Sequence, residues 1–107
     1  MISPQHQIGN HRVDFAILLN NVPYEQIKIV VECDGHDFHE KTKEQATRDK
    51  KRDRELQIAR WKVLRFTGSE IWRDHFTCGA HVDVLALKEI DAQLRLSDRL
   101  FGPRGEK

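Results

Sequence analysis

The stretch QIKIVVECD, residues 26–34, constrains the fold of this chain more tightly than any other. Its β-branched residues and period-two alternation specify a strand built for burial. Ile29, Val31 and Cys33 go to one face, and Lys28, Val30, Glu32 and Asp34 to the other. Gly35 ends it. Upstream, RVDFAILL at residues 12–19 alternates in the same way, with Val13, Phe15 and Ile17 on one face and Asp14, Ala16 and Leu18 on the other. The intervening NNVP, residues 20–23, carries turn residues, and Pro23 stands where no central strand could continue. Two neighbouring strands with so short a connection are expected to run antiparallel.

From about residue 43 to 60 the β-branched residues give way to Lys, Arg, Glu, Asp, Gln and Ala, the composition of an exposed helix. Its apolar face is thin: Ala46, Leu56, Ala59 and the stem of Lys50. WKVLRF, residues 61–66, reads as a third strand that returns beside an earlier one in parallel, through a right-handed crossover. TGSEIW then predicts a turn into a short helix at about 69–75, capped by Ser69. A last helix is expected over about 80–96, where Val84, Leu87, Ile90 and Leu94 recur at spacings of three and four, and the tail FGPRGEK is expected to fray. The pattern is α/β: a mixed sheet of strands at about 12–19, 26–34 and 61–66, flanked by helices. At 107 residues, with no repeat, linker or low-complexity tract, it reads as one domain over 1–107.

Charge does not identify a partner. Lys and Arg number 18 against 17 Asp and Glu, so any argument for nucleic acid rests on where the cations sit. No apolar run is long enough to cross a bilayer, and residues 1–15 lack the apolar core of a signal peptide, which makes a cytoplasmic protein the expectation. Cys33 and Cys78 are expected to be reduced. Trp61 and Trp72 read as core residues rather than as platforms for bases.

The acids on the strands call for an explanation. Side chains two apart on one strand face are roughly 7 Å apart, so Glu32 and Asp34 can converge with an acid of the adjacent strand. Asp14 is that acid, lying mid-strand between RV and FAILL. Two ionised carboxylates about 4 Å apart repel by roughly 4 kcal/mol at an effective dielectric near 20. A divalent cation offsets this directly, and oxygen ligands on rigid strands suit Mg²⁺ or Mn²⁺. For Asp34 alone, a solvated strand end is the simpler account. Cys33, His36 and His39 form C-x2-H-x2-H, which would serve a zinc-binding adaptor; alternation, however, turns Cys33 away from the acids, and no second cysteine pair lies close by. On the helix, Arg48, Lys51, Arg52 and Glu55 fall near one stripe. It suits either phosphate contact or a solvated face laced with ion pairs.

Taken together, QHQIGNHRVDFAI, IVVECDGHDFH and DKKRDRELQIARWKVLRF resemble a short-nuclease family related to the very-short-patch repair endonucleases, within the PD-(D/E)XK or restriction-endonuclease-like superfamily. The resemblance covers residues 5–72 and rests on Gln5, His6, Ile8, Gly9, Val13, Asp14, Phe15, Val31, Glu32, Asp34, Gly35, His39, Asp49, Arg52, Leu56, Val63, Leu64, Arg65 and Phe66. It implies DNA cleavage with Mg²⁺ or Mn²⁺. Asp14 and Glu32 would hold the metal with the Cys33 carbonyl, and Asp34 would join them or orient the attacking water. Gln5 and His39 would be supporting or general-acid groups, and Arg52 and Arg65, with Arg48 and Lys51 of the stripe, DNA contacts. Asp34 stands where the superfamily signature places lysine, and Lys28, on the same strand face, lies too far along the strand to replace it readily. Arg60 stands where the family usually has glycine, a local adjustment at the helix end. The family's N-terminal helix does not fit in the 13 residues before Asp14. That flank of the sheet is then open, completed by a partner subunit in a homo-oligomer, or lost by truncation. The expectation is a metal-dependent endonuclease; the alternative is a catalytically inactive nuclease-fold module that binds DNA or regulates.

Overall fold

The computed structural model describes residues 1–34 and 42–102. Its elements in chain order are β1 (Ile2–Ile8), β2 (His11–Leu19), β3 (Ile27–Asp34), α1 (Lys43–Ile58), β4 (Lys62–Thr67) and α2 (Gly68–Phe101). The strands form one sheet in the order β1-β2-β3-β4, antiparallel between β1 and β2 and between β2 and β3, parallel between β3 and β4. This is the mixed α/β sheet expected, with the returning strand parallel as the β-helix-β order requires.

β1 is an addition to the expected strands. Its sequence ISPQHQI is mostly polar and contains a proline, which an edge strand tolerates because one side of its backbone needs no ladder partner. Gly9 and Asn10 connect it to β2, and Gly9 has φ 55°, at the loop position where a tight hairpin of the II′ kind calls for glycine. The segment before β2 is therefore a strand rather than a helix.

α1 begins at a capping box, in which the Thr42 hydroxyl accepts from Gln45 N at 3.1 Å and Gln45 Oε1 accepts from Thr42 N at 3.0 Å. It ends in a left-handed turn. Arg60 has φ 68°, Arg60 N donates to Gln57 O and Trp61 N to Leu56 O, both at 2.9 Å, the paired bonds of a Schellman cap. This explains the glycine expected at residue 60: the position requires a positive φ. Leu56 and Trp61, on the two sides of that cap, are both buried with Val13, Ala16 and Val30, and Ile8, Leu18 and Val63 pack around them. Burying Leu56 alone contributes about 1.5–3 kcal/mol and fixes α1 on the sheet.

The two helices expected after β4 form one element, α2, kinked at Asp74 (φ −154°, ψ 71°). Thr67 caps its start by accepting from Glu70 N, in place of the expected Ser69. Asp74 caps the continuation, accepting from Thr77 N at 3.1 Å and from the Thr77 hydroxyl at 2.5 Å. Trp61 is core as expected, but Trp72 is not: it is 89 % exposed on the outer side of α2. Both cysteines are free thiols. Among the described residues no helix is long and apolar enough to cross a membrane.

Candidate functional site

Asp14 lies at a gap in the pairing of β2 with β1. The β1–β2 pairing runs through Pro4↔Phe15 and His6↔Val13 and skips the step between them, where Gln5 would face Asp14. Gln5 itself has φ 49°, a left-handed conformation costing a non-glycine residue about 1–2 kcal/mol. On the other side the β2–β3 pairing stops at Phe15↔Val31, and one further step in the same register sets Asp14 opposite Glu32. The half-buried Asp14 carboxylate reaches into that opening and accepts from Cys33 N at 2.7 Å. Asp14 is thus flanked by a strained residue in β1 and by the end of the pairing with β3, and backbone strain of the Gln5 kind persists at functional positions.

Glu32 is the other half of this pair. It is 5 % exposed, the one charged residue buried among the described residues. Burial pushes its carboxyl up from 4.5 to about 7; the Arg52 charge opposes this, and the Asp14 carboxyl, within hydrogen-bonding reach, adds to it. Arg52 comes from α1, one turn before the anchoring Leu56. Its Nη2 donates to Glu32 Oε1 and to the Arg12 carbonyl at 2.8 Å, while its buried Nε has no hydrogen-bond partner.

A second acid-base cluster adjoins the first. Arg65 of β4 pairs in register with Glu32 of β3. Its guanidinium is forked onto Asp53 of α1, Nη2 to Oδ1 at 2.5 Å and Nε to Oδ2 at 3.2 Å, while Nη1 donates to Asp34 Oδ1 at 3.3 Å. Asp53 holds Arg65 firmly protonated, with Asp34 and Glu32 contributing. Asp34 is thereby engaged by Arg65, and among the described residues no three or more His, Cys, Asp or Glu side chains gather into a metal cage. Sequence reading missed Asp53. It lies on a helix face dense with charge, and only its meeting with Arg65 across the crossover singles it out.

The remaining expected residues are dispersed. Arg48, Lys51 and Arg52 line a cleft of about 630 Å³ with Asn10, His11, Gln45, Asp49 and Glu55, at the junction of α1 and the β1–β2 turn. Within it, His11 and Glu55 are 2.6 Å apart and Lys51 lies 3.8 Å from Glu55, so the stripe is both basic and ion-paired. Lys28 is away from the acids: its Nζ donates to Ala59 O at 2.8 Å and stands over the Trp61 ring. The Gln5 side chain is exposed on the edge strand. His36 and His39, and with them the zinc pattern, lie outside the described residues. Burial and the charges of Asp14, Glu32 and Asp34 push the Cys33 thiol up, which keeps it protonated.

Comparison with known proteins gives one family. The model described as REase_MTES_1575, a restriction-endonuclease-like family, matches residues 1–83, which take in all four strands, α1 and the start of α2. No curated protein and no solved structure matches the chain.

Proposed function

We propose, from the premise that this chain belongs to the restriction-endonuclease-like family REase_MTES_1575, that it is a metal-dependent endonuclease hydrolysing DNA phosphodiesters through a PD-(D/E)XK type of site related to that of the very-short-patch repair endonucleases. The observation that carries the reading is the Asp14–Glu32 pair, set where β2 is unpaired on both sides, with Glu32 buried and its ionisation opposed by burial and by its neighbour. Such a pair suits a hard divalent cation, since both groups are carboxylates on rigid strands. Asp14 and Glu32, with the Cys33 carbonyl, would hold Mg²⁺ or Mn²⁺. The ion would polarise the phosphodiester and acidify water. Asp34, steadied by Arg65, orients the attacking water. Arg48 and Lys51 of the cleft, with Arg52, follow the DNA backbone, the part of recognition that depends on phosphate rather than base. Gln5, at the step the β1–β2 pairing skips opposite Asp14, is a candidate supporting group, and His39, after β3 in sequence, a candidate proton donor to the leaving group.

Nicking of supercoiled plasmid with Mg²⁺ or Mn²⁺ tests the reading. Wild-type protein should convert supercoiled to open-circular DNA while Asp14→Ala does not; equal outcomes in the two would remove it. A second reading has its own observation, the Arg52 contact that occupies Glu32. It is a catalytically inactive module that keeps the fold and binds DNA, and it predicts salt-sensitive DNA retention without nicking.

A further inference from the structure

We propose that Arg65 is the cation that meets the reacting phosphate, held in orientation by Asp53 and presented past Asp34. The inference deepens the nuclease reading and rests on it. A phosphodiester brought to Asp14, Glu32 and Asp34 carries negative charge into an acidic corner, and its transition state concentrates more of that charge on the non-bridging oxygens. A fixed cationic donor from the chain would share that charge with the ion the nuclease reading invokes, and the described cations are not equally able to serve.

Lys51 is largely exposed and pairs with Glu55 at 3.8 Å, and an ammonium on a flexible stem is poorly organised for this task. Arg52 commits Nη2 twice, to Glu32 and to the Arg12 carbonyl, so its charge is used to keep a buried acid in place. Arg65 differs in three respects. It is in strand register with Glu32, so the sheet fixes its distance from the acids. Its Nε and Nη2 edge is taken by both oxygens of Asp53, which sets the plane of the guanidinium. Its Nη1 edge, on a side chain 24 % exposed, has only the longest of the three bonds, 3.3 Å to Asp34. A two-bond anchor on one edge and a single bond on the other describe a positioned donor whose second partner can be exchanged for, or shared with, a phosphate oxygen. Asp53 is then a positioning residue. The chemistry needs no proton from Arg65: water gives its oxygen to phosphorus and releases a proton, one P–O ester bond breaks, and the leaving oxygen takes up a proton from His39 or from solvent.

Steady-state nicking by wild type, Arg65→Ala, Arg65→Lys and Asp53→Asn tests this, with Asp14→Ala alongside. Removing one donor to the developing charge should lower kcat by about 100- to 1000-fold in Arg65→Ala, with KM within about threefold. Arg65→Lys should retain part of kcat, since charge survives without the fork, and Asp53→Asn should lose kcat at constant KM. Free guanidinium ion should restore the rate of Arg65→Ala in a saturable way and leave Arg52→Ala unrescued, a response that a purely structural arginine would not give. Wild-type kcat in Arg65→Ala, or a loss confined to KM in Arg65→Lys, overturns the inference and leaves the nuclease reading standing. Absence of nicking in wild type, or nicking equal to Asp14→Ala, removes that reading and the inference with it.

Discussion

Glu32 concentrates the tension at the residue scale, because the fold keeps an acid where burial disfavours its charge. Its carboxyl is raised from 4.5 to about 7, so the folded protein binds a proton there that the unfolded chain has released. The sign follows from linkage: the stabilisation is fully present below pH 4.5 and is lost as pH rises through about 7. Glu32→Gln has no charge to bury and keeps an oxygen for Arg52, so it should melt higher than wild type at pH 8, with the difference closing toward pH 4.5. Melting curves across that interval check this, and a gap that stays constant with pH would show that Glu32 is not the titrating group. Mg²⁺ or Mn²⁺ should act in the opposite sense. A cation that requires ionised Glu32 should raise the wild-type melting temperature more at pH 8 than at pH 5 and leave Glu32→Gln nearly unmoved, by mass action on the folded state.

At the scale of the element, α1 carries the supports of a site whose acids stand on β2 and β3. Thr42 opens it, Arg52 and Asp53 point from its middle to the two acid clusters, and Leu56 pins it one turn later. Its closing turn gives a second prediction. Arg60 holds φ 68°, a conformation costing a side-chain-bearing residue about 1–2 kcal/mol, and glycine would remove that strain while adding about 0.5–1 kcal/mol of unfolded-chain entropy. Its ion pair with Glu25 is exposed on both sides and contributes little. Arg60→Gly should therefore stabilise by about 0.5 kcal/mol in denaturant unfolding, whereas Arg60→Ala keeps the strain and should be near neutral. The same turn marks what was legible in the sequence. β2, β3 and β4 could be read because runs of β-branched and aromatic residues mark them, although β2 buries Val13 and Ala16 together rather than alternating, and the acids because Asp14 breaks an apolar strand. β1 could not be read from periodicity, since an exposed edge strand needs no apolar face, although the Gly9-Asn10 pair was a usable hairpin signal. The unity of α2 was hidden by Asp74, which supplies a cap in the middle of a helix. Asp53 and the Arg65 fork were beyond reach, because their contact spans a crossover and leaves no local spacing to read.

Over the whole molecule, stability is unevenly divided between the two helices, and this asymmetry can be measured. α1 contributes a fully buried leucine to the cluster with Val13, Ala16, Val30 and Trp61, whereas no residue of the 34-residue α2 is fully buried. Trp72, Phe76, Leu87 and Phe101 all project from α2 into solvent. Two leucines therefore differ by environment alone: Leu56 is 1 % exposed and Leu87 is 64 % exposed. Truncating a buried leucine costs about 2–5 kcal/mol through lost transfer energy and the cavity left behind, a large part of the 5–15 kcal/mol that holds a domain of this kind together. Leu56→Ala should lower the denaturant midpoint sharply and also loosen the site, since Arg52 and Asp53 are positioned by the helix that Leu56 anchors. Leu87→Ser should change stability by no more than about 0.5 kcal/mol, as expected of a surface substitution. The comparison also tests whether a second copy of the chain covers the outward face of α2, the helix that packs on β3 and β4. If Leu87→Ser destabilises the protein by an amount that grows with protein concentration, α2 is covered by that copy in solution. If its cost is small at every concentration, the outward face of α2 stays exposed to solvent and a homo-oligomer through that face is excluded.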